Sequence, residues 1–215
     1  MFGLNSARIW GSDHAPEGLG AFHRINPQPG CGPAEGIVGG TRVATRSGWR
    51  PVEAIAPGDL VMTFDHGMCP VLAVKHAALW AGQGHCPRIL MPLAVPARAL
   101  ANDSPMLLLP EQKLVVKSDL AEAVFGDPFA LIPAAALAGY RGIDRITPHQ
   151  KVDVVIVQFA GDEVVYANGA GLIHCASETA GVIDVMGEHM PDYAALPLDM
   201  ARAVVLAMIE EDSRR

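Results

Sequence analysis

Residues 40–61 read GTRVATRSGWRPVEAIAPGDLV, and this stretch decides the fold class. Thr41–Thr45 alternates polar and apolar residues, which is typical of a strand with one buried face, and Arg46–Gly48 follows as a turn. Pro57–Asp59 is a second turn, because proline presets φ and glycine accepts a positive φ. Leu60–Thr63 then starts the next strand. Short strands separated by tight turns predict a β-rich domain with little helix.

The downstream sequence continues this β-rich pattern. Short apolar runs predict strands at 88–91, 106–109 and 113–117. Residues 152–159 and 163–167 are rich in β-branched side chains and are separated by a Gly-Asp turn, which predicts a hairpin.

Two helices interrupt the strands. Ser118 predicts an N-cap for a short helix through Val124, which Gly126 ends. Apolar residues at helical spacing predict an amphipathic C-terminal helix at about 197–211. Residues 1–35 show no sustained periodicity, so we expect an extended N-terminal arm.

Composition excludes several classes of protein. Half of the 215 residues are hydrophobic, which is too many for a disordered chain. The formal net charge of -7 and the lack of a basic run argue against a nucleic-acid-binding surface. No apolar run is long enough for a membrane-spanning helix, and no secretory signal is visible at the N-terminus. We therefore expect a cytoplasmic protein, with export by a route that uses no N-terminal signal left open.

The opening stretch, with its GWRPVE and PGDLV strings, resembles the start of bacterial Hint domains, the hedgehog/intein autoprocessing family. LPEQKL at residues 109–114 is similar to the middle segment of that family, and EVVYANG at 163–169 to its last strands. The resemblance implies an all-β, horseshoe-like fold of short strands. It divides the chain into an arm at 1–35, a Hint-like domain at 36–175 and a C-terminal extension at 176–215.

Hint domains cleave themselves by an N-to-S acyl shift, in which a cysteine attacks the preceding carbonyl and a histidine protonates the departing amide. The resemblance places that cysteine at Gly36, which has no side chain. It places the middle-segment serine and histidine at Leu109 and Gln112, and glutamine cannot shuttle a proton at neutral pH. These replacements imply a domain that has lost self-cleavage. We expect a structural or protein-interaction module with an unidentified protein partner and no cofactor.

Two alternatives stay open. Cys31 lies five residues before Gly36 and is a candidate displaced nucleophile, with cleavage at the peptide bond that joins it to Gly30. The second alternative is a zinc site, whose candidate ligands carry thiol or imidazole groups. Those candidates are His66, Cys69, His174 and Cys175, together with the adjacent pair His85 and Cys86. The simpler interpretation makes the cysteines reduced thiols and His66 a turn residue.

Overall fold

A computed structural model describes residues 35–79, 88–148, 151–177 and 194–214. Short strands and two α-helices make up most of these ranges. In chain order they are β1 (Ile37–Val38), β2 (Arg42–Thr45), β3 (Gly48–Pro51), β4 (Leu60–Thr63), β5 (Gly67–Pro70), β6 (Ala73–Leu79), β7 (Leu93–Val95), β8 (Met106–Leu108), β9 (Lys113–Lys117), α1 (Asp119–Phe125), β10 (Phe129–Pro133), β11 (Asp144–Arg145), β12 (Val152–Gln158), β13 (Glu163–Ala167), β14 (Gly171–Cys175) and α2 (Leu198–Ser213).

The strands form two antiparallel sheets. One has the order β11-β7-β8-β1-β12-β6, and the other has the order β10-β9-β14-β13-β2-β4-β5, with β3 paired to β2. Strand β1 therefore lies inside the first sheet, between β8 and β12. The predicted all-β fold class is confirmed.

Both sheets contribute to one hydrophobic core. Ile37 and Val155 from the first sheet and Val43, Val165 and Ile173 from the second belong to the same buried cluster. Burying this apolar surface is the main favourable contribution to folding.

Charged side chains form hydrogen bonds that stabilise the turns of residues 40–61. The Asp59 carboxylate accepts hydrogen bonds from the Arg50 guanidinium and the Ala56 amide, both at 2.9 Å. The Glu53 carboxylate accepts from the Gly40 amide at 3.1 and 3.0 Å. The turn predicted at 57–59 is confirmed, with Gly58 at φ +89°.

Two sequence predictions about strands are wrong. The segments at 152–159 and 163–167 do not form a hairpin, because β12 pairs with β1 and β6 whereas β13 pairs with β14. The Gly-Asp turn between them passes the chain from one sheet to the other. Residues 88–90 form a short 3₁₀-helix, and the nearby strand is β7 at Leu93–Val95.

The predicted helices are present. The Ser118 hydroxyl accepts from the Leu120 amide at 3.2 Å, and Gly126 closes α1 at φ +76°. Helix α2 is anchored near its end, where the Arg141 guanidinium donates to both Asp212 carboxylate oxygens at 2.6 and 2.5 Å. In the described ranges, no helix has both the length and the apolar character to span a membrane.

Candidate functional site

The position expected for the nucleophile has no space for a side chain. Gly36 precedes β1 with φ +137°, a backbone conformation that other L-residues rarely adopt. A Cβ atom there would lie 2.6 Å from Val154 Cγ1 and 3.3 Å from Ile156 Cγ1, both on the neighbouring strand β12. The backbone conformation and the packing of β12 each exclude a cysteine at Gly36 without local rearrangement.

The Gln112 side chain lies directly against this glycine. Its Oε1 accepts a hydrogen bond from the Gly36 amide at 2.8 Å. Its Nε2 donates to the carbonyl oxygens of His174 at 2.7 Å and Lys113 at 2.9 Å. The partners fix the orientation of the amide, because an N–H requires an acceptor and two carbonyls require donors. Gln112, 2% exposed, thereby ties the start of β1 to β9 and β14.

The residue before Gly36 is also held. The Lys113 ammonium donates to the Glu35 carboxylate at 2.9 Å. Two consecutive residues at the start of β9 thus contact two consecutive residues before β1: Gln112 binds Gly36, and Lys113 binds Glu35. The amide of Gly36 and the side chain of Glu35, on either side of the expected cleavage position, therefore each have a hydrogen-bond partner.

Leu109 begins the turn that presents Gln112. The Gln112 amide donates to the Leu109 carbonyl at 3.0 Å. The Leu109 side chain is 0% exposed and packs in a small apolar cluster with Val38, Leu79 and Val154. The position that the family resemblance assigns to a serine therefore serves packing in this chain.

His174 faces an acidic partner that sequence reasoning did not pair with it. Its Nε2 lies 3.6 Å from Asp162 Oδ2, with both side chains largely buried. The other Asp162 oxygen accepts from the Ser177 amide at 2.8 Å. The side-chain interaction with His174, opposed by burial and helped by Ser177, lowers the pKa of Asp162 to about 2. Asp162 therefore carries its charge at neutral pH, at the turn that leads from one sheet to the other.

A second buried carboxylate links the other two candidate ligands. Glu163 Oε2 lies 3.2 Å from His66 Nδ1, and Cys69 Sγ donates to Glu163 Oε1 at 3.5 Å. Burial raises the pKa of the Cys69 thiol; the Thr63 hydroxyl, at 3.6 Å, opposes this rise and Glu163 adds to it. The thiol is held as a hydrogen-bond donor and is not activated as a thiolate.

Cys175 lies in the core. Burial raises the pKa of its thiol to about 12, and the charges of Glu35 and Glu163 add to the effect. Because successive residues of a strand point to opposite faces, His174 and Cys175 do not approach one point.

The proposed zinc ligands are divided between separate environments. His66 and Cys69 meet Glu163, whereas His174 meets Asp162. Across the ranges that the structure covers, no three His, Cys, Asp or Glu side chains form a group suited to a metal ion. Cys31, with the arm around it, and the pair His85 and Cys86 lie outside the described residues.

Comparisons with known proteins found one matching family model and several similar solved structures. A model of the Hint domain matches residues 36–177. An intein-like domain from Clostridium thermocellum is 16% identical, with a TM-score of 0.47, covering 65% of this chain and 98% of that one. The gp41-1 intein is 15% identical, with a TM-score of 0.40 and coverage of 66% and 98%. No curated protein matches the chain. Because the family model spans well over half of the sequence, this chain belongs to the Hint domain family.

Proposed function

We propose that this Hint domain does not cleave itself and acts as a structural or protein-interaction module. The observation that carries the proposal is the 2.8 Å hydrogen bond from the Gly36 amide to Gln112 Oε1. It lies at the peptide bond that an active relative would break, and it stabilises the intact bond.

An acyl shift first requires a nucleophile beside the carbonyl to be attacked. Gly36 supplies none, and a Cβ atom there would overlap Val154 Cγ1 at 2.6 Å. Side chains of β12 therefore fill the space that a side chain at position 36 would need. Replacing Gly36 by cysteine alone therefore does not restore the geometry that the acyl shift requires.

The shift also requires a proton on the departing amide nitrogen. Gln112 turns an acceptor oxygen toward the Gly36 nitrogen, and its two N–H groups are used by the His174 and Lys113 carbonyls. An acceptor at this position favours the planar peptide and delivers no proton. The hydrogen bonding is thus opposite to what cleavage needs.

The described thiols do not replace the missing nucleophile. Nucleophilic attack requires a thiolate. Cys175 has a pKa of about 12 and is buried in the core, and the Cys69 thiol donates to Glu163. Both are protonated at neutral pH.

The scaffold is retained while these reactive groups are absent. The braced turns, the shared core and the buried Gln112 network hold a defined surface, which is what a docking module requires. The proposal therefore assigns the retained architecture to binding another protein.

Intact-mass spectrometry tests this proposal on the purified full chain. Overnight incubation with dithiothreitol or hydroxylamine, which release thioesters and esters, is expected to leave one species at the full 22.7 kDa. A fragment produced by a cut before Gly36 would overturn the proposal. A cut at Gly30 that the Cys31→Ala variant abolishes would instead establish Cys31 as a displaced nucleophile.

A further inference from the structure

Helix α2 has a second apolar stripe besides the one that it buries. Ala201, Val204, Val205 and Met208 face the core. Leu206 is 62% exposed, and Leu198 and Ile209 are each 38% exposed. Among the large hydrophobic side chains that the structure describes, Leu206 is the most exposed. Such a side chain in the middle of a helix is a candidate contact with another surface.

Charges of opposite sign flank Leu206 symmetrically. Arg202 lies one helical turn before it and Glu210 one turn after it, and all three side chains are exposed. Residues four apart form one ridge on a helix surface, so the order along this ridge is cation, leucine, anion. The only partner described for Glu210 is Arg214, at 3.4 Å in an exposed i,i+4 pair that contributes little.

We propose that α2 is a homotypic interface, at which the ridge of one copy crosses the same ridge of a second copy in antiparallel orientation. A two-fold axis passing beside Leu206 brings the two Leu206 side chains together. It also places Arg202 of each copy opposite Glu210 of the other. An isologous contact requires such a self-complementary surface.

The charge pattern favours an antiparallel orientation of the two helices, and it favours a second copy of this chain as the partner. A parallel, in-register pair of α2 helices would bring Arg202 beside Arg202 and Glu210 beside Glu210, which is repulsive. Antiparallel crossing converts both repulsions into attractions. The contact is confined to one helix, so the dimer is weak and depends on concentration.

This inference is independent of the proposed loss of self-cleavage, because α2 follows the residues that the family model covers. Its failure would leave the Gly36 site unaffected, and cleavage at Gly36 would leave the interface unaffected.

Sedimentation equilibrium of the full chain across a concentration series tests the interface. The weight-average mass of the wild type is expected to rise from 22.7 kDa toward twice that value. Leu206→Asp is expected to stay monomeric and folded, because it places a charge on the two-fold axis at an exposed site. Leu72→Asp is the matched control: its side chain is 58% exposed and lies outside α2, so association should persist.

Charge reversal tests the register. Arg202→Glu and Glu210→Arg are each expected to lower the association constant about tenfold, and the double reversal is expected to restore most of it. A wild type that is monomeric throughout, an associating Leu206→Asp variant, or a double reversal weaker than either single change would each overturn the proposal. Circular dichroism establishes that every variant is folded.

Discussion

Replacing Gly36 by alanine should destabilise the domain strongly, because two effects add at this position. A non-glycine residue held at φ +137° carries strain of about 1–3 kcal/mol. Its Cβ atom would also lie 2.6 Å from Val154 Cγ1, and overpacking of this kind costs about 1–3 kcal/mol. We expect a decrease of about 3 kcal/mol in the free energy of unfolding, measured by urea denaturation.

The neighbouring glycines separate the two effects. A Cβ atom at Gly40, at φ +85°, meets nothing within 4 Å, so Gly40→Ala reports backbone strain alone. Gly39 has no positive φ, and its nearest contact would be Asp153 O at 3.4 Å, so Gly39→Ala should be nearly neutral.

The Val154→Ala background isolates the packing effect. It removes the methyl group that the new Cβ atom would meet, so Gly36→Ala should cost less there than in the wild type. Equal costs for Gly36→Ala and Gly40→Ala, or no coupling to Val154, would refute the conclusion that the nucleophile position is sterically closed.

Three further changes probe the network around the site and the adjoining helix. Gln112→Ala should cost about 3 kcal/mol in urea denaturation, because it leaves a cavity and a buried N–H and two carbonyls without their partner; a loss below about 1 kcal/mol would contradict that role. The folded pKa of Asp162, about 2, is below the ordinary 3.8, so its contribution is present above about pH 4 and is lost as pH falls toward 2. Asp162→Asn should therefore remove about 2 kcal/mol at neutral pH and flatten the acid side of the stability profile, whereas an unchanged profile would show that the pair with His174 contributes nothing. Ser118→Ala should cost about 1 kcal/mol by removing the α1 cap, and an unchanged unfolding midpoint would show that the cap is not needed.

The local parts of the fold could be predicted from sequence because their causes are local. Pro57–Asp59 specifies its own turn, and Ser118 and Gly126 specify the ends of α1. The family resemblance then drew attention to Gly36 and Gln112, which the structure places in hydrogen-bond contact.

Strand partners could not be predicted in the same way. A β-branched run such as Val152–Gln158 indicates a strand, but it carries no information about which strand lies beside it. The sequence therefore predicts a hairpin at the Gly-Asp turn after it, although the chain there changes sheets.

The buried acidic pairs could not be predicted because strand pairing, which the sequence pattern does not specify, brings their residues together. Glu163 meets His66 across 97 positions, and Asp162 meets His174 across two strands. The sequence does place two adjacent acidic residues, Asp162 and Glu163, beside a strongly apolar strand. A buried carboxylate requires a partner, so their position indicates that such pairs exist.

The Gly36 amide proton gives the most direct test of the central claim, that the peptide bond at the expected cleavage position is held intact by an acceptor. Hydrogen exchange followed by NMR should show this proton exchanging at least about a hundredfold more slowly than in an unfolded chain. The protection should be lost selectively in Gln112→Ala while the amides of β12 stay protected. Exchange of the Gly36 proton at the unfolded rate in the folded wild type would contradict the account.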